Sequence, residues 1–227
     1  MSSLTIAVPR GALFGGALDL LDSLGIYTAE VRSNDRKLLF EDAGIVTMRP
    51  SDVPTYVEHG SADLGITGKD VLMEQAQRDV YELLDLGFGH CRMVVAAQAG
   101  GDPIASALRR LGRVRIATKY PRVAADHFAA TGRQAEIVEV KGSVELAPLT
   151  GLADAIVDLT ASGRTLVENG LVDGIVDLTA TGTTLAENGL VEVEEIESCT
   201  ARLIANPVAH KLKAAEIDAL VEQVRAR

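Results

Sequence analysis

The sequence predicts an α/β protein built as two lobes, and three observations carry that expectation. Short apolar runs alternate with segments that are apolar at helical spacing, the pattern of strand–helix units laid on a mostly parallel sheet. The hydrophobic content is 47%, with 4% aromatic residues and no Trp, which suits thin layers of aliphatic side chains. The apolar segment 91–96 falls mid-chain and reads as a strand crossing into a second lobe, whereas segments 191–196 and 201–205 read as strands returning to the first. The expected division is 1–89 for the first part of domain I, 90–190 for domain II, and 191–227 completing domain I.

Residues 4–8 read as a strand, Pro9-Arg10-Gly11 as a turn, and 13–24 as a helix, which places Gly11 where backbone can approach a ligand. Two strands are expected at 37–40 and 44–48. Arg49-Pro50-Ser51-Asp52 then opens a helix, with Asp52 placed for the cap or first turn. Residues 62–66 form the next strand, followed by the polar turn Thr67-Gly68-Lys69-Asp70 and a helix over 71–77. Two such turns on one sheet edge make a crevice, the usual ligand position in open α/β sheets. In the second lobe, the turn Gly100-Gly101-Asp102-Pro103 precedes a helix at 104–111, and strand 115–118 leads to the basic turn Lys119-Tyr120-Pro121. A helix over 123–130, a strand over 135–140 and a helix over 143–150 follow, the last with Ser143 as its cap and Glu145 in its first turn.

The stretch that organises the chain comes next. Ala155-Ile156-Val157, between Asp154 and Asp158, reads as a buried strand, and Thr160-Ala161-Ser162-Gly163-Arg164-Thr165 reads as a loop turning into a helix. Small hydroxylated residues and a glycine let successive backbone N–H groups face one anion, and the helix that follows adds its dipole. Carboxylates repel a phosphate, so Asp154 and Asp158 suit sugar hydroxyls or a metal. Acceptors for ribose hydroxyls beside donors for a 5′-phosphate are what a phosphoribosyl group needs.

The formal net charge of −10 argues against a general nucleic-acid or anionic-membrane surface, since phosphate backbones are bound by surplus Lys and Arg. It leaves room for a small phosphorylated substrate held by local cations and amides. Cys91 and Cys199 have neither metal spacing nor an evident partner, so a reducing cytoplasm is expected. No apolar run has membrane-spanning length, and the N-terminus lacks signal-peptide features.

A tandem copy interrupts the pattern. Residues 154–172, DAIVDLTASGRTLVENGLV, are followed without a gap by 173–191, DGIVDLTATGTTLAENGLV, identical at 15 of 19 positions. Two units cannot build a solenoid, so a local duplication of one strand–loop–helix unit is the simpler account. The first copy is joined correctly upstream and the second downstream. The first is the expected site, because its spacing from Glu145 is intact and Arg164 adds a cation that Thr183 lacks.

The string Glu145, Gly151, Asp154, Ile156, Asp158-Leu159, Ser162-Gly163, Thr165-Leu166 resembles the signature of ATP phosphoribosyltransferase, the first enzyme of histidine biosynthesis. Segment 49–72 and Lys119-Tyr120-Pro121 also resemble that family, and the likeness covers nearly the whole chain. Its usual Pro-Lys-Gly-Arg-Leu is altered here, with Arg10 for the Lys and Ala12 for the Arg. The resemblance implies a type II periplasmic-binding-protein-like fold with a cleft between lobes. It further implies transfer of a 5-phosphoribosyl group from phosphoribosyl pyrophosphate to N1 of ATP, with Mg²⁺ carried by the substrate phosphates. Glu145, Asp154, Asp158 and the run Thr160, Ala161, Ser162, Gly163, Arg164, Thr165 would bind phosphoribosyl pyrophosphate. Arg10, Gly11, Arg49, Thr67, Gly68 and Asp70 would line the ATP side, with Arg92 and Lys119 reaching the pyrophosphate or triphosphate. No acid or base is assigned, because adenine N1 already carries a lone pair. The length matches the family's short form, which implies a homodimer working with a regulatory subunit similar to histidyl-tRNA synthetase. Two other readings stay open: a two-lobed binding module without turnover, and a variant inactivated by the duplicated loop.

Overall fold

The computed structural model describes residues 4–161 and 185–227. The chain divides into two compact units, Met1–Gly89 with Thr200–Arg227, and His90–Cys199.

The first unit is a six-stranded sheet in the order β2-β3-β1-β4-β11-β5. Central strand β1 (Ile6–Pro9) runs parallel to β3 (Ile45–Met48) and β4 (Leu64–Gly68), with Ile6 opposite both Ile45 and Leu64. Strand β2 (Leu39–Phe40) borders β3, and β11 (Ala201–Ala205) returns antiparallel between β4 and β5 (Tyr81–Asp85). Alternation along β1 makes both faces apolar: Ile6 and Val8 enter a core with Leu18, Leu21, Phe40, Ile66 and Ile217, while Ala7 enters another with Val53, Val57 and Ile204. Helices α1 (Phe14–Ser23), α3 (Val53–Glu58) and α4 (Lys69–Glu74) follow β1, β3 and β4, and α2 (Ala29–Ser33) lies before β2. Asp52 precedes α3 but makes no side-chain cap bond; it closes a 3₁₀ turn, Pro50–Asp52.

The terminal helix expected over 208–226 is two helices, α8 (Pro207–Leu212) and α9 (Ala214–Arg225), parted at Lys213. The break has an electrostatic cause. Asp63 is nearly buried, accepts the N–H of Thr5 at 2.8 Å, and draws the Lys213 ammonium to 2.8 Å. Asn206 caps α8, accepting the N–H of Ala209 at 2.8 Å and donating to the carbonyls of Val57 and Glu58.

The second unit is a five-stranded sheet in the order β10-β6-β9-β7-β8. Strand β7 (Val114–Thr118) is parallel to β8 (Ala135–Glu139) and to β9 (Ala155–Ala161), whereas β6 (Cys91–Gln98) runs antiparallel to β9 and β10 (Leu190–Cys199). Helix α5 (Pro103–Leu111) is capped by Asp102 and stopped by Gly112 in the left-handed region, φ 69°. Helix α6 (Pro121–Ala130) links β7 to β8.

Three expectations change here. Segment 191–196 does not return to the first unit: it pairs along β6 from Leu190 to Cys199, so the chain changes unit at Thr200. The expected helix over 143–150 shrinks to α7 (Leu146–Leu149), because Ser143 sits at φ 48° and leads a turn. Thr160 and Ala161 extend β9, paired with Arg92 and Cys91, where a loop had been expected.

Candidate functional site

In both units several of the residues singled out from the sequence stand at the carboxyl ends of parallel strands. In the first unit the chain leaves β1 toward β3 on one side and leaves β4 toward β5 on the other. Neighbouring strands whose connections depart in opposite directions open a crevice at their carboxyl ends. Arg10 and Gly11 follow β1, Arg49 follows β3, Thr67 and Gly68 close β4, and Asp70 stands in the first turn of α4. Gly11 has φ 96° and open space where a Cβ would stand, so its backbone is bare to an approaching group. A Cβ at Gly68 would overlap Asp70 Oδ1, so a larger residue there would push the Asp70 side chain aside.

Arg10 is not held out for a ligand. Its Nε donates to Thr47 Oγ1 at 3.0 Å and its Nη2 to the carbonyl of Lys37 at 2.8 Å, and its guanidinium lies over the Phe14 ring. It braces the loop before β2. Thr67 is buried, its hydroxyl 3.4 Å from the carbonyl of Pro50. Arg49 is exposed and has no salt-bridge partner among the described residues.

The second unit repeats the arrangement. The chain leaves β7 toward β8 and leaves β9 toward β10, on opposite sides, so the crevice lies at the carboxyl ends of β7 and β9. Thr118, Lys119, Asp158 and Thr160 stand there. Asp158 is 6% exposed and accepts only its neighbour's N–H, from Leu159, at 2.9 Å among the described hydrogen bonds. Burial pushes its carboxyl above the ordinary range; nearby Lys119 pulls it back and Glu145 adds to the rise. Lys119 is exposed and, like Arg49, has no salt-bridge partner among the described residues.

Asp154 has the opposite fate. Arg115 Nη2 meets its Oδ1 at 2.9 Å, and the N–H of Arg115 meets its Oδ2 at 2.9 Å. Arg115 Nη1 also donates to the carbonyl of Gly151 at 3.0 Å, where φ is 75°. Although burial opposes it, these hydrogen bonds hold the Asp154 carboxyl below its ordinary value. Asp154 therefore latches the start of β9 to the start of β7, with both of its carboxylate oxygens engaged by Arg115. Arg92 is paired likewise: it bonds Glu192 at 2.9 Å and Glu195 at 3.2 Å across the β6–β10 pair.

The duplication is shared out within the fold. Strand β9 comes from the first copy, and the helical turn 185–187 with the lead into β10 comes from the second. Leu185 and Leu190, counterparts of Leu166 and Leu171, fill one core with Ile156, Val144 and Ala147. Residues 162–184 number twenty-three where a single copy needs four, so the surplus is one 19-residue unit. Of the four differences between copies, the two that fall on described residues favour this division. Ala155, fully buried in a central strand, corresponds to Gly174, which is worse there by about 0.5–1 kcal/mol. Ala186 in the helical turn corresponds to Val167, a poorer helix former by about 0.5 kcal/mol. The expected loop residues Ser162, Gly163, Arg164 and Thr165 lie outside the described residues.

Sequence reasoning missed Arg115 and Thr118. Neither stands in a motif, and each acts through a partner 39 positions away, which only the strand pairing reveals.

Two α/β units with ligand-type crevices at their strand ends define the type II periplasmic-binding-protein-like class. A crystal structure of an L-arginine-bound protein shares that fold at TM-score 0.59 and 15% identity, covering 98% of this chain and 83% of that one. The family model described as HisG: ATP phosphoribosyltransferase matches residues 49–173 and 167–226, two segments that overlap inside the duplication, and the chain belongs to that family. Curated ATP phosphoribosyltransferases of Rubrobacter xylanophilus and Geobacillus sp. are 47% and 44% identical over 227 residues, covering 99% and 97% of this chain and 96% and 97% of theirs. The ATP phosphoribosyl transferase (HisG:HisZ) complex from Thermotoga maritima contains a chain with TM-score 0.72 and 32% identity, covering 98% of this chain and 97% of that one. Family membership makes the chain a pentosyltransferase of the first step of histidine biosynthesis.

Proposed function

We propose that the chain transfers the 5-phosphoribosyl group of phosphoribosyl pyrophosphate to N1 of ATP, with the carboxyl ends of β7 and β9 as the sugar-phosphate site. The observation that carries this placement is the buried Asp158 beside Lys119 at the point where the strand order reverses. Asp158 offers acceptors to ribose hydroxyls, and Thr160, Ala161 and Ser162-Gly163-Arg164-Thr165 offer donors to the 5′-phosphate. Lys119 meets the pyrophosphate. Glu145, set just before α7, adds a second carboxylate on that side. On the first unit, Gly11, Arg49, Thr67, Gly68 and Asp70 receive ATP.

The chemistry is a displacement. The N1 lone pair forms a bond to the anomeric carbon, the bond from that carbon to the pyrophosphate oxygen breaks, and its electron pair leaves with the pyrophosphate. Positive charge builds on the sugar ring while the bond breaks, so a carboxylate beside the ring and cations at the leaving group both stabilise the transition state. The described residues include no cluster of three or more His, Cys, Asp or Glu able to hold a metal, and Asp154 is occupied by Arg115. Mg²⁺ brought in on the pyrophosphate of the substrate would neutralise leaving-group charge. We further propose that the chain forms a homodimer in the cytoplasm and that, by analogy with the HisG:HisZ complex from Thermotoga maritima, it works with a regulatory subunit.

Mixing the chain and its regulatory subunit with ATP, phosphoribosyl pyrophosphate and Mg²⁺ is expected to produce N1-ribosylated ATP, followed by ultraviolet absorbance. Binding of either substrate without product contradicts the reading.

A further inference from the structure

Thr118 ends β7 with a side chain that is wholly buried. Its Oγ1 donates to the carbonyl of Val157 at 2.7 Å and accepts the N–H of Tyr120 at 2.8 Å. Its own carbonyl accepts the N–H of Val140 at 3.0 Å, at the exit from β8. One hydroxyl thus joins β9, at the residue before Asp158, to the turn that carries Lys119. A valine would fill the same volume, so packing does not require an oxygen at this place. Burying a hydroxyl carries a desolvation cost that is offset only through what the hydroxyl holds. Here it fixes the backbone on both sides of an exposed lysine whose long stem would otherwise let the ammonium wander.

We propose that Thr118 is a positioning residue for phosphoribosyl transfer: its hydroxyl holds the Thr118–Tyr120 turn against β9, so that Lys119 meets the pyrophosphate while Asp158 meets the sugar. This rests on the sugar-phosphate site proposed above and extends it to a residue that touches no substrate. Removing the hydroxyl takes away the link between the turn and β9, while Asp158 keeps its place in the strand. The loss therefore falls on capture of the pyrophosphate.

The test uses the full chain, alone and with its regulatory subunit, in Mg²⁺. Thr118→Val is expected to raise KM for phosphoribosyl pyrophosphate about tenfold with kcat changed less than about threefold, as for one lost hydrogen bond that positions a charge. Thr118→Ser restores KM to within about twofold of the parent, because the hydroxyl returns. In a Lys119→Met background, Thr118→Val adds less than about twofold, since the group it positions is gone. The proposal is overturned if Thr118→Val leaves KM unchanged, if Thr118→Ser is as impaired as Thr118→Val, or if the two effects multiply in full. Thr118→Ala, which removes the hydroxyl without a second methyl, gives the same ordering should Thr118→Val fold poorly. If the parent chain binds phosphoribosyl pyrophosphate without turnover, the transferase reading falls, and calorimetric affinities for the same variants then decide the positioning role by the same ratios.

Discussion

Asp154 and Asp158 stand four residues apart, one just before β9 and the other where its pairing with β7 ends, and the fold uses them in opposite ways. At the amino end, Arg115 wraps Asp154 with a paired guanidinium contact and a backbone N–H, and its carboxyl is held below the ordinary value. At the carboxyl end, Asp158 is buried with one described hydrogen bond, from Leu159, and its carboxyl is pushed up. A parallel sheet explains the difference. Chain connections at the amino ends of β7 and β9 are latched together, while the carboxyl ends, where the connections diverge, are left for a ligand. The first unit shows the same economy, with Arg10 bracing a loop and Arg49 left without a salt-bridge partner among the described residues. Residue type alone therefore does not mark a binding group; its position along the strand does.

Substitutions at the two acids and at Lys119 separate their roles. Asp158→Asn, which keeps shape and removes charge, is expected to lower kcat/KM for phosphoribosyl pyrophosphate by about a hundredfold or more while the melting temperature holds or rises. Steady-state kinetics beside a thermal melt checks both halves. Lys119→Met is expected to raise KM for that substrate about tenfold, and to move the acid limb of the pH profile upward, because Lys119 opposes the rise caused by burial and Glu145. At the other end, Asp154→Asn is expected to lower the melting temperature by about 5 °C, with kcat/KM within about threefold of the parent.

Stability against pH separates the two acids further. A carboxyl raised on folding takes up a proton, so Asp158 erodes stability as pH climbs from its unfolded value through its folded one. Asp154, lowered on folding, contributes stability above its unfolded value that is lost as pH falls through its folded one. Thermal melts across the carboxylate range should show the first slope vanish in Asp158→Asn and the second in Asp154→Asn. The smallest effect is expected from deleting residues 166–184, one repeat unit. The native junctions remain, and a connection shortened from twenty-three residues to four alters closure entropy by only about 1–2 kcal/mol, so activity persists.

Much of this was legible in the sequence. Alternating periodicity predicted most of the strands and helices, and the glycine and hydroxyl turns predicted which loops lie at the strand carboxyl ends. Asp158 and Lys119 were both singled out as site candidates, since each follows an apolar run, and the structure places both where β7 and β9 stop pairing. What the sequence hid was partnership. Arg115 and Asp154 lie 39 positions apart, as do Thr118 and Val157, and both pairs meet only because β9 pairs in register with β7. Arg92 read as a free cation because the acids of β10 that neutralise it were expected to return to the other unit. The duplication was visible, but its division between strand and helix turns on Ala155 against Gly174 and Ala186 against Val167, differences whose weight depends on burial and helicity.

The most direct test is calorimetric titration of phosphoribosyl pyrophosphate, with Mg²⁺, into Asp158→Asn and Asp154→Asn side by side. Affinity is expected to drop at least about tenfold in the first and to stay within about threefold in the second, as for loss of a charge-assisted contact at one end of the strand and a structural one at the other. Full affinity in Asp158→Asn together with lost affinity in a folded Asp154→Asn would contradict the account.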